Sequence, residues 1–81
     1  MPLGGRAERH HRQRRAVGGD RLCNLLLVLP EHHTDIHRAP ERSRTNGWIV
    51  SAYEPDPAVV PVLMGDHWWY LDDDGHRSPV P

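Results

Sequence analysis

Cysteine is all but missing. Cys23 stands alone in 81 residues, so no disulfide within the chain can staple the fold, and a single thiol fits a reduced, cytoplasmic setting. Long apolar runs are missing too. The longest, Leu25 to Leu29, has five residues, against the roughly 18 that a membrane span needs. No apolar stretch directly follows the Arg-rich N-terminus, which speaks against a signal peptide. Lysine is absent, and there is no internal repeat or long low-complexity tract. What remains is one small domain, residues 1–81, with 37% hydrophobic residues and a mean hydropathy of -0.70. A domain of this size buries only about 60% of its unfolded surface and is marginal without a staple. A bound metal is the remaining candidate, and seven histidines make it worth pursuing.

The net charge of -1 hides an asymmetry. Residues 1–45 hold nine arginines against five acids, a balance of +4, while residues 46–81 hold Arg77 against six acids. Five of the seven histidines (His10, His11, His32, His33 and His37) lie in the basic half. That half is suited to polyanion contact and to metal chemistry. A GC-rich coding sequence enriches Arg, Gly, Pro and His in the same way, so composition alone does not choose.

Patterning predicts a mixed α and β order. Arg6 to Arg15 is polar and basic, with no apolar face for a helix. Val17-Gly18-Gly19-Asp20 is a turn signal. Leu25 to Leu29, between Asn24 and Pro30, predicts a buried strand. Pro30-Glu31 opens a helix, since proline tolerates the first turn and an acid there complements the dipole. Pro40 ends that helix near Ala39 and opens a shorter one, Glu41 to Thr45, stopped by Asn46-Gly47. Trp48 to Val50, Val59 to Met64 (interrupted by Pro61) and Trp68 to Leu71 read as strands, the last ended by Asp72-Asp73-Asp74-Gly75. His33 and His37, four apart on the first helix, share a face and suit two ligands of one metal ion. Two histidines at that spacing also occur on an ordinary solvated face.

The ordered combination is more telling than either pair. Glu8-Arg9-His10-His11-Arg12-Gln13-Arg14-Arg15-Ala16-Val17-Gly18-Gly19 resembles the first half of an HNH endonuclease motif. Asn24 to Leu29 followed by Pro30-Glu31-His32-His33-Thr34-Asp35-Ile36-His37 resembles the second half. The likeness is closest to small phage and actinobacterial members, in which a segment like Gly47-Trp48-Ile49-Val50-Ser51 and a short β tail follow the motif. It covers roughly residues 8–75.

The resemblance implies an α+β fold. Residues 6–47 would form a ββα-metal finger (a His-Me finger), followed by a β-strand tail over residues 48–81. It implies His10, His33 and His37 as ligands of one divalent metal (Zn, Ni, Mn or Mg), His11 as general base, and Asn24 as the residue that orients His11 by tying the loop to the second strand. Three ligands leave open positions, as a catalytic centre needs. The implied activity is hydrolysis of DNA phosphodiester bonds. Arg12, Arg14 and Arg15, just after the base, would grip flanking phosphates without reading sequence. The partner implied is DNA, with no membrane; a second copy of the chain or a phage packaging partner stays open.

Two departures from the family pattern stand out. Many members bind a second, structural zinc through two Cys pairs; here no Cys precedes His10 and the helix-side positions are Leu29 and His32, so no structural zinc is expected. Only nine residues precede His10, which leaves room for a truncated finger or a non-catalytic, metal-stabilised nucleic-acid-binding module. Other residues have plainer readings. His32 caps the helix or faces solvent, as do His67 and His76; Asp72 to Asp74 form an exposed turn; Trp68-Trp69-Tyr70 alternate between core and surface, with base stacking as the rival reading; and Cys23 packs.

Overall fold

The computed structural model describes residues 7–81. The expected frayed end at Met1 to Gly5, and the expected start of the finger at Arg6, lie outside the described residues.

Glu8–His11 (β1) and Leu25–Val28 (β2) form an antiparallel ribbon, with Glu8 paired to Val28 and His11 to Leu25. The connection holds a single helical turn, Arg15–Gly18 (α1), and a 3-10 turn, Leu22–Asn24. Gly19 closes α1 at a φ of 64°, a left-handed position that glycine adopts without a Cβ penalty. The buried strand expected at Leu25 to Leu29 is corrected in two respects. Leu29 belongs to the entry of the next helix, and Leu27 is 70% exposed. Successive side chains of a strand point to opposite faces, and so small a chain cannot cover both faces of a two-stranded ribbon.

Pro30–Arg38 (α2) and Pro40–Thr45 (α3) follow as two short helices, each opened by its proline. Buried Ser43 locks them together, its hydroxyl donating to the Ile36 carbonyl at 2.9 Å. Gly47, at a φ of 76°, passes so close to the Pro61 carbonyl that a Cβ would collide with it. After a 3-10 turn at Pro57–Val59, the strands Val62–Met64 (β3), His67–Leu71 (β4) and Arg77–Pro79 (β5) make an antiparallel sheet in the order β3-β4-β5.

The strand expected at Trp48 to Val50 is not formed. The amides of Trp48 and Ile49 are both taken by the Ser43 carbonyl, and that of Val50 by the Arg12 carbonyl, so no ladder can run through the segment. The expected strand from Val59 starts only at Val62, because Pro57 to Val59 coil into the 3-10 turn. β5 has no apolar pattern of its own. Its Arg77 lies over the Trp69 ring at 4.3 Å, a cation–π contact. Trp68 and Tyr70, on the other face of β4, are 37% and 38% exposed.

The core is small and unusually polar. Among the described residues Cys23, Ile36, Val50, Pro57 and Val62 are its buried apolar side chains, and they share it with His10, Arg12, Gln13, Asn24 and Ser43. Every buried side-chain nitrogen and oxygen among the described residues has a hydrogen-bond partner, which a polar core requires. Burial pushes the Cys23 thiol up to about 11, so it packs as a small hydrophobe. Among the described residues no helix is long and apolar enough to cross a membrane.

The tail is fastened by Arg21, which donates to Asp73 at 2.8 and 3.0 Å and to Asp56 at 3.0 Å. The hydrogen bond from Arg21 holds the Asp73 carboxyl below its usual range. A carboxylate with a lowered folded-state pKa adds stability above its unfolded value, near 3.9, and that stability is lost as pH falls through the folded value. Asp73→Asn is therefore expected to reduce stability modestly at pH 7 and to flatten its fall below pH 4, measured by urea denaturation at both pH values. An acid limb identical to wild type would show that the pair contributes nothing.

Candidate metal centre and its cavity

Three imidazoles converge from two elements. His10 comes from β1, and His33 and His37 from successive turns of α2. Their ring centroids lie 5.0 to 5.6 Å apart, and one ligand nitrogen from each falls within 4.8 Å of the others. A tetrahedral zinc with bonds of about 2.0–2.1 Å holds its nitrogens roughly 3.4 Å apart, so small side-chain rotations suffice to close the set. His10 is buried, His33 half-buried and His37 exposed, so the centre opens to solvent on the α2 side.

Hydrogen bonds to the second ring nitrogen make two of these histidines, His10 and His33, suitable ligands. His10 Nε2 lies 2.6 Å from the Trp48 carbonyl, which can only accept, so Nε2 carries the hydrogen and Nδ1 the lone pair. His33 Nδ1 lies 3.0 Å from Glu8 Oε1, which leaves Nε2 as the ligand atom. Such partners orient a metal-binding histidine and raise its basicity. Burial pushes the His10 imidazole below its ordinary value, helped by the neighbouring His33 and His37 and opposed by the Trp48 hydrogen bond. His10 is thus neutral at pH 7 and its lone pair is available.

His11 follows His10 at the end of β1, paired with Leu25. Its Nε2 lies 2.8 Å from Asp20 Oδ1. The hydrogen bond from His11 draws the Asp20 carboxyl below its usual range. An ionised Asp20 accepts the Nε2 hydrogen and leaves His11 Nδ1 with the lone pair that a base needs.

Asn24 is fully buried and ties the loop to β2 in three places. Its Oδ1 accepts from the Gln13 amide at 2.7 Å, and its Nδ2 donates to the Gln13 and Gly19 carbonyls at 2.9 Å. A Cβ on Gly18 would strike the Asn24 and Gln13 side chains, so glycine there makes room for the clamp.

A cavity of about 640 Å³ runs between β1, the ends of α2 and α3, and the Ile49–Ala52 segment. All four histidines named above line it. So do four arginines, Arg9, Arg12, Arg14 and Arg44, and no carboxylate does.

The arginines differ in what they are free to do. The assignment of Arg12 to DNA contact is corrected. It is 1% exposed, and its guanidinium donates to the carbonyls of Gly47 (2.8 Å), Cys23 (2.9 Å), Pro57 (3.3 Å) and Val60 (2.7 Å). Burial pushes it down to about 10. A guanidinium with its donors engaged in the core cannot reach a phosphate. Arg14 lies on the cavity wall, exposed. Arg15 is outside the wall and lies 3.3 Å from Asp20.

Sequence reasoning overlooked Asp20, Glu8 and the Trp48 carbonyl. Glu8 had a signal, because it sits two residues before His10 on a strand and so shares its face. Asp20 had a weaker one, as the acid at the end of the Gly-Gly turn. A backbone carbonyl leaves no mark in a sequence. Asp72, Asp74 and His76 also bring ligand atoms within 4.8 Å, but Asp72 Oδ1 accepts from the Asp74 and His76 amides at 2.9 Å, the bonding of a turn. His32, His67 and His76 are exposed.

Compared with family models, with curated proteins and with solved structures, the chain shows no significant match, so the chemistry of the site carries its own interpretation.

Proposed function

We propose that this protein is a metal-dependent endonuclease of the HNH type that hydrolyses DNA phosphodiester bonds, and that β1, β2 and α2 form its ββα-metal finger. One observation carries the reading. His11, with Asp20 behind it, and a cluster of three imidazoles open into the same cavity, whose lining is rich in arginine and free of carboxylates.

A phosphodiester has a negative charge, needs an activated water and must expel an alkoxide. The cavity suits the first need, since an anion meets only cationic and neutral groups on its walls. His11 meets the second: Nδ1 takes a proton from water, the water oxygen bonds to phosphorus, and the bond from phosphorus to the 3′ oxygen breaks. Asp20 holds the ring in the productive tautomer and stabilises the imidazolium that forms. Asn24 is a positioning residue, because its clamp fixes the loop behind β1. A divalent ion held by His10, His33 and His37 would supply Lewis-acid stabilisation of the phosphate and of the departing oxygen.

A plasmid-cleavage assay across Mg, Mn, Ni and Zn, with a chelator control, tests the reading. The His11→Ala variant is expected to lose about 10²–10⁴-fold in rate while keeping its metal affinity by calorimetry. A wild-type protein that binds metal and DNA but cuts under none of these conditions would instead be a metal-stabilised binding module.

A further inference from the structure

The cavity has a cationic wall that the histidine motif does not explain. Arg44 is contributed by α3, seven residues beyond His37, and it lines the same cavity as His10, His33 and His37. Its backbone is well anchored. The neighbouring Ser43 is buried, donates its hydroxyl to Ile36, and takes the amides of Trp48 and Ile49 on its carbonyl. The Arg44 side chain is exposed, and no hydrogen bond or ion pair ties it to any described residue.

The other three cavity arginines are differently committed. Arg12 is consumed by core carbonyls. Arg9 is on the same face of β1 as His11 and lies in the field of Asp20. Arg14 has no acid partner, but it sits beyond the base on the β1 side. Among the described residues, Arg44 is therefore the one free guanidinium that comes from the helical side of the cavity, where His33 and His37 stand. A planar fork of donors with no carboxylate partner matches the two non-bridging oxygens of a phosphodiester.

We infer that Arg44 contacts the phosphate whose bond is broken, while Arg14 grips a neighbouring phosphate of the same strand. The inference rests on the nuclease reading for its chemistry, and on the placement of the two arginines for the division of labour. As negative charge builds on the non-bridging oxygens, a guanidinium already in position stabilises it without reorganising.

The test uses bis(p-nitrophenyl) phosphate, which has one phosphodiester and no flanking phosphate, alongside plasmid DNA. With the metal-loaded protein, Arg44→Ala is expected to lower kcat on both substrates by about 10²-fold, and Arg44→Lys to recover part of the loss. Arg14→Ala is expected to slow plasmid cleavage more than it slows hydrolysis of the small diester. The thermal midpoint and zinc affinity of Arg44→Ala should equal those of wild type, since the side chain is exposed and is not a ligand. If Arg44→Ala leaves the small diester untouched, Arg44 serves a flanking phosphate at most and the inference is overturned. If the wild type hydrolyses neither substrate, the nuclease reading fails, and a calorimetric titration of the zinc-loaded protein with dimethyl phosphate decides the contact by itself. A tenfold weaker affinity in Arg44→Ala supports it, and equal affinities overturn it.

Discussion

Replacing Arg12 by methionine is expected to lower stability by about 3–5 kcal/mol, the range seen when a buried charged partner is removed from its acceptors. Methionine fills much of the same volume, so the loss isolates the hydrogen bonds from the cavity. Four carbonyls lose their donor at once, and they belong to separate parts of the chain: the 3-10 turn before β2, the turn after α3, and the segment that leads into β3. The Arg12 backbone adds to the junction. Its amide bonds the Asn24 carbonyl and its carbonyl takes the Val50 amide, both at 2.8 Å. Small domains have little stability to spare, so the variant should be largely unfolded at 37 °C without metal. Arg12→Lys should recover little, because one ammonium cannot span four acceptors held around a planar fork. Urea denaturation in chelator measures the effect. A loss under 1 kcal/mol for the methionine variant would mean that water satisfies the four carbonyls equally well.

Zinc should have an effect of similar size in the opposite direction. A ligand that binds only the folded state at 1,000 times its Kd adds about 4 kcal/mol. For a domain of this length that raises the melting midpoint by roughly 15 °C or more. His33→Ala or His37→Ala is expected to abolish most of this gain and to change the midpoint far less in chelator. His37 is the cleaner case, since it is exposed and packs little. Magnesium at the same concentration should give almost no shift, because imidazole is a softer ligand than carboxylate or water and the cluster offers only imidazoles. Glu8→Gln should weaken zinc binding by about 10–100-fold, the usual cost of losing the partner behind a ligand histidine. If the histidine variants lose as much stability in chelator as in zinc, they pack and do not ligate. If magnesium stabilises as well as zinc, no three-imidazole centre exists.

The two longer helices, α2 and α3, and the strands β2 to β4 were legible in outline because their boundary signals are local, whereas the single turn α1 and the strand β5 were not read. Pro30 and Pro40 each set a helix start, and Gly47 a stop, through backbone geometry that involves few neighbours. The misreadings share one cause. Trp48 to Val50 has the composition of a strand, but their amide donors are captured by Ser43 and Arg12. Leu27 has the composition of a core residue, but the ribbon has too few partners to cover it. In each case the decision depended on which groups lie near in space, and hydrophobic pattern carries no such information.

The candidate site divides along the same line. The sequence by itself determined which residue types were available: four histidines spaced for a strand and a helix, an asparagine before the second strand, and a basic half without lysine. Imidazole chemistry and helical periodicity suffice for that much, because ligand spacing on one element is a local property. Only the tertiary structure decided how those residues are used. Packing α2 against β1 set His10 beside His33 and His37 and put Glu8 behind His33. Folding the Gly-Gly turn back on β1 placed Asp20 against His11. The same packing drew Arg12 into the core and left Arg44, from a helix with no motif, on the cavity wall. An arginine reads alike in sequence whether it meets four carbonyls or open water. Its surroundings, assembled from distant parts of the chain, determine whether its charge holds the fold together or faces a ligand.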